Sequence, residues 1–355
     1  MPLMEMMNRQ AIERAHAMRA GQPLADRATV RGSGPGVRRR RLLGIGTALG
    51  AAVLAGGRPA AAQTERRRAE DWPTTLHLPD GFHPAGIGIG PAPYAYFGSL
   101  LGGDVYRVRL ATGDGTLIHP GFGEGHYAAG LRVDGRQRLF IAGGWGRTIT
   151  VMDGVTGRVL RTYDVGVADT FVDHVVLTPR MVWCTDAFAG QLYGLPLGPD
   201  GELPPRDGVV TLSLSDEWEQ GPLDGLTATG IAATPDGRAL LVVNIHAQGG
   251  SLFRVDPATG RARKVDLGEA RLRTTNGILV HGSTLYAPTV SDLAVIRLDH
   301  TGHSGRLVRT VTDPRFDTPV AADVYGNRLY ITNARFPLPP TPQTPYNAMA
   351  IPIPR

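Results

Sequence analysis

Short apolar runs recur along the chain after residue 76, separated by glycine-containing turns. In each unit a small residue precedes one apolar run, a turn follows, and a second apolar run ends in small polar residues. The unit occurs six times, centred on Gly86, Gly130, His174, Gly230, Gly277 and Ala321. The spacings between these centres, 44, 44, 56, 47 and 44 residues, match the length of a four-stranded propeller blade. The pattern predicts an all-β fold, a six-bladed β-propeller with four-stranded blades.

Local signals support the same architecture. An Asp-x-x-Thr-Gly turn follows an alternating run at Asp153 and again at Asp256, and this composition is typical of β-hairpins. The segment 76–78 is predicted to close the ring against the last blade, because an open propeller leaves exposed strand edges. The proline-rich segment 337–345 is excluded from any interior strand. No helical period is sustained after Gln63.

The first 62 residues have a different composition. Arg39-Arg40, one further residue and Leu42-Leu43 resemble a twin-arginine export signal, and an apolar run too short to span a bilayer follows. Ala60-Ala61-Ala62 then fits a cleavage site. We predict that residues 1–62 are a cleaved leader and that residues 63–355 form one propeller domain with a Pro-rich C-terminal tail. A disordered basic tail is the alternative. The predicted location is outside the cytoplasm: periplasmic, cell-envelope or extracellular.

The leader also accounts for the basic charge of the chain. Residues 1–62 hold ten arginines and three acidic residues, out of totals of 37 Lys+Arg and 32 Asp+Glu. The remainder has 27 basic and 29 acidic side chains, a balance that argues against nucleic acid or an anionic membrane as partner. We expect a monomer with no transmembrane segment in the mature protein. Cys184, the one cysteine, is interpreted as a small buried apolar residue.

One face of the predicted propeller carries the candidate functional residues. In each blade the first strand begins, and the second strand ends, at the same face. The polar residues at these two junctions are His83, His126, Asp173, His174, Asp186, Thr229, Asn244, His246, Asn276, Asp323 and Asn333. Taken singly, each of these residues is more simply explained as a cap that bonds to local backbone groups. Together they predict a ligand-binding face at the central mouth.

Two sets of motifs resemble the SMP-30/gluconolactonase-like propellers, including secreted bacterial members. One is Thr229-Gly230-Ile231, followed by Pro235-Asp236-Gly237 and the apolar run 240–243. The other is Pro79-Asp80-Gly81-Phe82 with the segment 94–99, Tyr-Ala-Tyr-Phe-Gly-Ser. The resemblance covers about residues 76–335. Some such relatives carry a superoxide dismutase label, which no His-rich motif supports here.

The resemblance implies a divalent metal ion at the mouth, held by a Glu, two Asn and an Asp, that polarises a lactone carbonyl. This chain departs from that set: Ala85 stands at the Glu position, Asp173-His174 at an Asn-Asp pair, Thr229 at an Asn and Asn276 at the Asp. Loss of the Glu disfavours a hard cation. Asp173, His174 and Asn276 remain as candidate ligands, better suited to a transition metal, with Asp173 or His174 as the candidate catalytic base.

Three functions follow from these observations. The first is a binding protein that uses the mouth, with an eroded metal site, to hold a small molecule, a glycan or a protein. Its candidate contacts are His83, His126, Asp186, Asn244, His246 and Asn333. The second is a metal-dependent lactonase or related hydrolase. The third is a quinone- or copper-dependent oxidoreductase, since propellers host such cofactors, although fold alone does not give function.

Overall fold

The computed structural model describes residues 71–167, 169–222, 225–336 and 338–355. The predicted leader, residues 1–62, lies outside these described residues. Within them the structure is built from antiparallel sheets, with a single 3₁₀ turn at Ala247–Gly249. The predicted six-bladed, all-β propeller is confirmed. No helix in this part of the chain is long and apolar enough to cross a membrane.

Strands are numbered in chain order. Blade 1 consists of β2 (Pro84–Ile89), β3 (Tyr94–Ser99), β4 (Val105–Arg109) and β5 (Gly115–His119). Blade 2 consists of β6 (Leu131–Val133), β7 (Arg138–Ala142), β8 (Thr148–Asp153) and β9 (Val159–Asp164). Blade 3 consists of β10 (Val172–Thr178), β11 (Met181–Asp186), β12 (Gln191–Pro196) and β13 (Val210–Ser213).

The second half of the chain repeats this order. Blade 4 consists of β15 (Ala228–Ala233), β16 (Leu240–Asn244), β17 (Ser251–Val255) and β18 (Arg261–Lys264), with the short β14 (Ser215–Asp216) parallel to β18. Blade 5 consists of β19 (Leu279–His281), β20 (Thr284–Pro288), β21 (Leu293–Leu298) and β22 (Gly305–Val311). Blade 6 consists of β23 (Pro319–Tyr325), β24 (Arg328–Asn333), β25 (Tyr346–Pro352) and β1 (Thr75–Leu78).

The ring is closed by the first strand of the described chain. β1 pairs antiparallel with β25, from Thr75 opposite Met349 to Leu78 opposite Tyr346, which confirms the predicted role of segment 76–78. Residues 338–345, within the proline-rich segment, form no strand. Because the last blade takes strands from both ends of the described residues, its sheet closes the ring.

The inner strands of neighbouring blades contact one another, and β23 contacts β2 to complete the circle. Close approach requires small residues. A Cβ on Gly130 would lie 2.5 Å from the carbonyl oxygen of Asp173, nearer than atoms in real structures come.

We call the face that carries the first residues of the inner strands the upper face, and the opposite face the lower face.

Apolar side chains fill the spaces between adjacent blades. Between blades 2 and 3, for example, Phe140 and Tyr163 pack in one cluster with Val175, Cys184 and Tyr193. Burial raises the pKa of the Cys184 thiol, so the thiolate form is disfavoured and the residue behaves as a small apolar side chain. The interpretation of Cys184 as a buried packing residue is confirmed.

The hairpin turns follow the predicted chemistry. The Asp153 carboxylate accepts hydrogen bonds from the backbone N–H of Thr156 at 2.7 Å and of Val155 at 3.0 Å, and Gly157 has a φ of 72°. In the turn of blade 4, Asp236 accepts hydrogen bonds from the Thr234 hydroxyl and the Arg238 N–H. These bonds favour the carboxylate form and hold the pKa of both aspartates below its usual value.

We predict that acid destabilises the fold partly through these turns. A depressed folded-state pKa contributes stability that is present above the unfolded pKa, about 3.9, and is lost as the pH falls through the folded pKa. Urea unfolding measured from about pH 5 to about pH 2 should therefore show a smaller loss of stability in Asp153→Asn than in the original protein. The control is Asp80→Asn, because the exposed Asp80 carboxylate accepts no hydrogen bond from described residues. An unchanged slope in Asp153→Asn would contradict this account.

Candidate functional site

The upper face brings the predicted junctions together. The first residue of the inner strand lies opposite the last residue of the second strand in four blades: Pro84 with Ser99, Val172 with Asp186, Ala228 with Asn244, and Pro319 with Asn333. In these four blades the start of the first strand and the end of the second strand therefore lie on the same face, the upper one.

Three of the residues predicted to contact a ligand form hydrogen bonds with other groups of the protein. Asp186 Oδ1 accepts hydrogen bonds from the N–H groups of Phe188 and Ala189, and its Oδ2 accepts from Gln191 Nε2 and the Tyr193 hydroxyl. Asn244 Oδ1 accepts from the N–H groups of His246 and Ala247. Asn333 Oδ1 accepts a hydrogen bond from the Asp317 N–H, and its Nδ2 donates to the Arg315 carbonyl and to Asn347 Oδ1. These side chains cap the loops, and their contact with a ligand stays a prediction.

Asp173 and His174 form the centre of the upper face. Both are buried, at 5% exposure each, and Asp173 Oδ2 lies 3.0 Å from His174 Nδ1. The alignment of this pair does not make a hydrogen bond, and Asp173 Oδ2 and both imidazole nitrogens find no hydrogen-bond partner among the described residues. Burial of such groups without partners is costly, so they mark a position where the fold alone does not account for the residue types.

His174 occupies a position that the other five blades give to glycine or alanine: Gly86, Gly130, Gly230, Gly277 and Ala321. Its imidazole extends from blade 3 toward blade 5, where Nε2 lies 2.9 Å from the place that a Cβ on Gly277 would take. The one large side chain at this level of the ring therefore fills part of the space that the five small residues leave around the axis.

A chain of hydrogen bonds links the inner strands of blades 3, 4 and 5. The backbone N–H of His174 donates to Thr185 Oγ1 at 3.1 Å, and the Thr185 hydroxyl donates to the Thr229 carbonyl at 2.9 Å. The Thr229 hydroxyl then donates to the Thr275 carbonyl at 3.0 Å. Thr275 Oγ1 is itself buried and has no partner within the described part of the chain. The sequence prediction did not include Thr275.

Beside this chain a small cavity opens between blades 4, 5 and 6. Its volume is about 20 Å³, enough for about one water molecule. Thr229, Thr275 and Asn276 lie on its wall together with Thr318, and apolar side chains including Ile245 and Phe336 complete the lining. The structure thus places Asn276 next to the Thr275 hydroxyl and one residue before Gly277, which faces His174.

A cluster of aromatic side chains, which we call the aromatic rim, lies on one side of the mouth, in the loops of blades 2 and 3. Trp145 packs between Phe171 and Phe188, with ring centroids 5.2 and 5.0 Å away, and Tyr127 lies 5.8 Å from Phe171. Trp145 Nε1 is buried without a hydrogen-bond partner among residues that are described. The polar face expected from the sequence therefore consists of a few buried polar groups beside a cluster of aromatic side chains.

The remaining predicted residues are spread around or below this rim. His83 packs against Phe336 and Tyr346, with centroids 5.7 and 6.0 Å away, and His126 lies beside Phe122. His246 follows the Asn244 cap. Asp323 lies deeper in the channel, where its Oδ2 accepts a hydrogen bond from the Ile89 N–H at 2.8 Å.

The donor set does not fit a calcium-type site. Such cations take six to eight oxygen ligands, several of them carboxylates, whereas Asp173 supplies the one carboxylate beside His174 and Asn276. In the described residues, no three His, Cys, Asp or Glu side chains are close enough to hold a metal ion.

Comparisons with known proteins identify the fold. The allergen Mala s 1 of Malassezia sympodialis matches with a TM-score of 0.61 and 13% identity, over 78% of this chain and 96% of that one. A gluconolactonase from Xanthomonas campestris matches with a TM-score of 0.53 and 18% identity, over 78% and 89%. This chain shares the six-bladed propeller fold of these proteins. The predicted resemblance is confirmed at this level.

A third similar structure is the calcium-binding protein regucalcin from Agrobacterium tumefaciens, with a TM-score of 0.54 and 17% identity, over 77% of this chain and 90% of that one. At these identities the similarity shows the fold alone. No family model and no curated protein sequence matches the chain.

We predict that Asp186 is a structural cap. Asp186→Ala leaves the Tyr193 hydroxyl, the Gln191 amide and two backbone N–H groups without their acceptor, so the free energy of unfolding should fall by about 3 kcal/mol. Denaturant unfolding measures this loss. Asp114→Ala, at an exposed turn, should change it by less than about 0.5 kcal/mol. Equal effects of the two substitutions would contradict the capping role.

We also predict that Gly277 and His174 are energetically coupled. Gly277→Ala places a methyl group against His174 Nε2 and the Val320 carbonyl, and should lower the free energy of unfolding by about 1–3 kcal/mol. In a His174→Ala background the same substitution should cost about 1 kcal/mol less, because only the Val320 contact remains. A double-mutant cycle measures the coupling, and a value of zero would show that the imidazole does not face Gly277.

Proposed function

We propose that this chain is an exported binding protein, whose upper mouth holds a small molecule with polar groups. The observation that carries the proposal is a set of buried polar atoms at one place that the described residues leave incompletely satisfied: Asp173 Oδ2 and His174 Nδ1, which contact each other at 3.0 Å without a well-aligned hydrogen bond, and His174 Nε2 and Thr275 Oγ1, which have no partner there. The aromatic rim lies on the same face. Apolar walls with a few convergent polar groups are typical of small-molecule sites.

The energetics of these atoms support a ligand rather than a packing role. A buried polar group without a partner costs about 1–3 kcal/mol, and an apolar side chain of similar shape would avoid that cost. At the same face, every side-chain oxygen of Asp186 and Asn244 accepts a hydrogen bond. The fold can therefore satisfy polar side chains here, and a bound polar molecule, or ordered water in its absence, would satisfy the remaining ones.

The small cavity favours a small molecule over a glycan chain or a protein as the occupant. A volume of about 20 Å³ admits one polar group of a ligand, and the rest of the molecule would lie against the aromatic rim. Trp145 offers an indole ring there, and aromatic faces bind apolar or sugar-like surfaces through stacking.

A metal-dependent hydrolase is the second candidate. One observation favours it: the buried His174 imidazole lies beside the Asp173 carboxylate, with Nδ1 and Oδ2 3.0 Å apart, and imidazole with carboxylate is a donor set that transition metals accept. The small number of donors favours the binding protein, with the metal site eroded. No contact at the mouth favours the oxidoreductase alternative.

Thr275→Val tests the binding role directly. Valine has the shape of threonine without the unpaired hydroxyl, so the variant should unfold at a higher temperature, by about 1 kcal/mol of added stability, and should bind ligand more weakly. Sugars, sugar acids, lactones and aromatic acids would be screened by thermal shift, and hits measured by calorimetry. We expect about a tenfold loss of affinity in Thr275→Val or Asn276→Ala.

Thr178→Val is the matched control. Its hydroxyl already donates to the Met181 carbonyl at 2.8 Å, so this variant should lose stability and keep its affinity for the same ligand. A destabilised Thr275→Val with unchanged binding would overturn the proposed role of the upper mouth.

Elemental analysis separates the two candidate functions. The chain beginning at Gln63 would be exposed to calcium, zinc and manganese, washed and analysed beside Asp173→Ala and Asn276→Ala. The binding-protein proposal expects less than one metal ion per chain and no lactone turnover. Stoichiometric metal that both variants lose, together with lactone hydrolysis, would establish the hydrolase instead.

Export is the other part of the proposal, and it rests on the sequence of residues 1–62. Fusion of these residues to a reporter that is active only after export should place it outside the cytoplasm. Changing Arg39 and Arg40 together to lysine should abolish that signal, since the twin-arginine pair is what such a leader presents for recognition. Unchanged export would assign the leader to another route.

A further inference from the structure

The lower end of the central channel widens into a funnel. Its volume is about 300 Å³, within the range of small-molecule sites. The ends of β10, β15 and β19 form the wall, which is mainly apolar and includes Val176, Ile231 and Val280. Gly282, with a φ of 61°, lies at its edge and has open space where a side chain would extend.

Arg132 is the charged side chain on the wall of this funnel. Its Nη1 donates hydrogen bonds to the carbonyls of Ile87 at 2.8 Å and Leu131 at 3.2 Å, and its Nη2 donates to the Ile278 carbonyl at 3.2 Å. These carbonyls belong to blades 1, 2 and 5. Because blades 2 and 5 are opposite in a six-bladed ring, the side chain reaches across the channel axis.

Two donors of the guanidinium remain. An arginine has five N–H groups, and the three bonds to carbonyls leave Nε–H and one Nη2–H without a partner among the described residues. This pair of donors can bind the two oxygens of one carboxylate, which is the strong, bidentate geometry for arginine.

Neither of the acidic neighbours, Asp323 and Asp236, forms a hydrogen bond with Arg132. Asp323 accepts hydrogen bonds from the N–H groups of Ile89 and Val324. Burial raises the pKa of its carboxyl group, and Asp323 is close enough for the Arg132 charge to lower that pKa, an effect that burial outweighs. Asp236, after the wall residue Pro235, is bonded to Thr234 and Arg238. No ion pair of Arg132 occurs in the described part of the chain, and His281 at the end of β19 is exposed.

We propose that the lower funnel is a second binding site, for a small organic carboxylate with an apolar body. Its carboxylate group takes the two remaining N–H donors of Arg132, and its apolar body lies against the aliphatic wall. The funnel lies on the opposite face from Asp173, Thr275 and Asn276, so this site does not depend on the function proposed for the upper mouth.

Benzoate is a suitable probe, because it combines a carboxylate with a flat apolar ring that fits the funnel volume. Benzamide keeps the ring and removes the charge, and acetate keeps the charge and removes the ring. Calorimetry and thermal shift should show saturable binding of benzoate, at least about tenfold weaker binding of each analogue, and weaker benzoate binding at high salt.

Two substitutions test the location. Arg132→Gln should weaken benzoate binding by about tenfold or more, and Arg306→Gln, which removes the same charge from the exposed outer strand of blade 5, should not. Since Arg132 also bonds to three carbonyls, its variant is expected to lose stability. Gly282→Asp and Gly282→Asn avoid that difficulty, because both residue types tolerate a positive φ and differ only in charge.

Each outcome decides the proposal. Gly282→Asp should weaken benzoate binding by about threefold or more through repulsion in the funnel, while Gly282→Asn leaves it near the original value. No binding of benzoate, equal binding of benzamide, or equal effects of the two Gly282 variants would overturn the site. Binding that Thr275→Val weakens and Arg132→Gln does not would place benzoate at the upper mouth and equally overturn it.

Discussion

The inner strands of the propeller each pair with their own blade on one edge only, and the other edge faces the axis. Backbone N–H and C=O groups on that edge need partners, because unpaired groups away from water are costly. Direct contact between blades supplies some of them: Gly277 N–H donates to the Val320 carbonyl at 2.7 Å, and Gly144 N–H to the Val172 carbonyl at 2.9 Å. Such contacts require small residues at the axis, as the spacing at Gly130 shows.

Side chains supply further partners for these backbone groups, at two levels of the channel. Near the upper face, hydroxyls of Thr185 and Thr229 bond to carbonyls of the next blade. Near the lower face, Arg132 donates to carbonyls and the Asp323 carboxylate accepts from N–H groups. His174 belongs to the upper level, where its N–H donates to Thr185 Oγ1. The same need for backbone partners therefore places polar chemistry at both ends of the axis, and this is where both proposed sites lie.

The sequence predicted the blades well because a repeat reports the same physical constraint six times. Glycine or alanine at the axis, a loop cap at Asn244 and an Asp-x-x-Thr-Gly turn are local requirements, so each appears as a fixed residue type at a fixed offset. The role of Arg132 could not be derived in this way, since its partners Ile87 and Ile278 are distant in sequence. One signal was present: a charged residue in the apolar run of an inner strand. The aromatic rim was missed because its members come from different loops of blades 2 and 3.

The buried polar residues of the upper mouth differ in whether the protein itself satisfies their hydrogen bonds. Asp186 is fully buried, and both of its oxygens are satisfied within one loop, so folding alone accounts for an aspartate there. Thr275 is also buried, yet its hydroxyl has no partner among the residues that the structure describes, and a valine would fill the same space at lower cost. Natural proteins accept such local losses mainly where activity needs them. His174 Nε2 is likewise buried without a partner among the described residues, and it faces Gly277, two residues after Thr275. The energetic cost of unsatisfied polar groups is therefore concentrated at one place, which is the arrangement expected where polar groups bind a ligand.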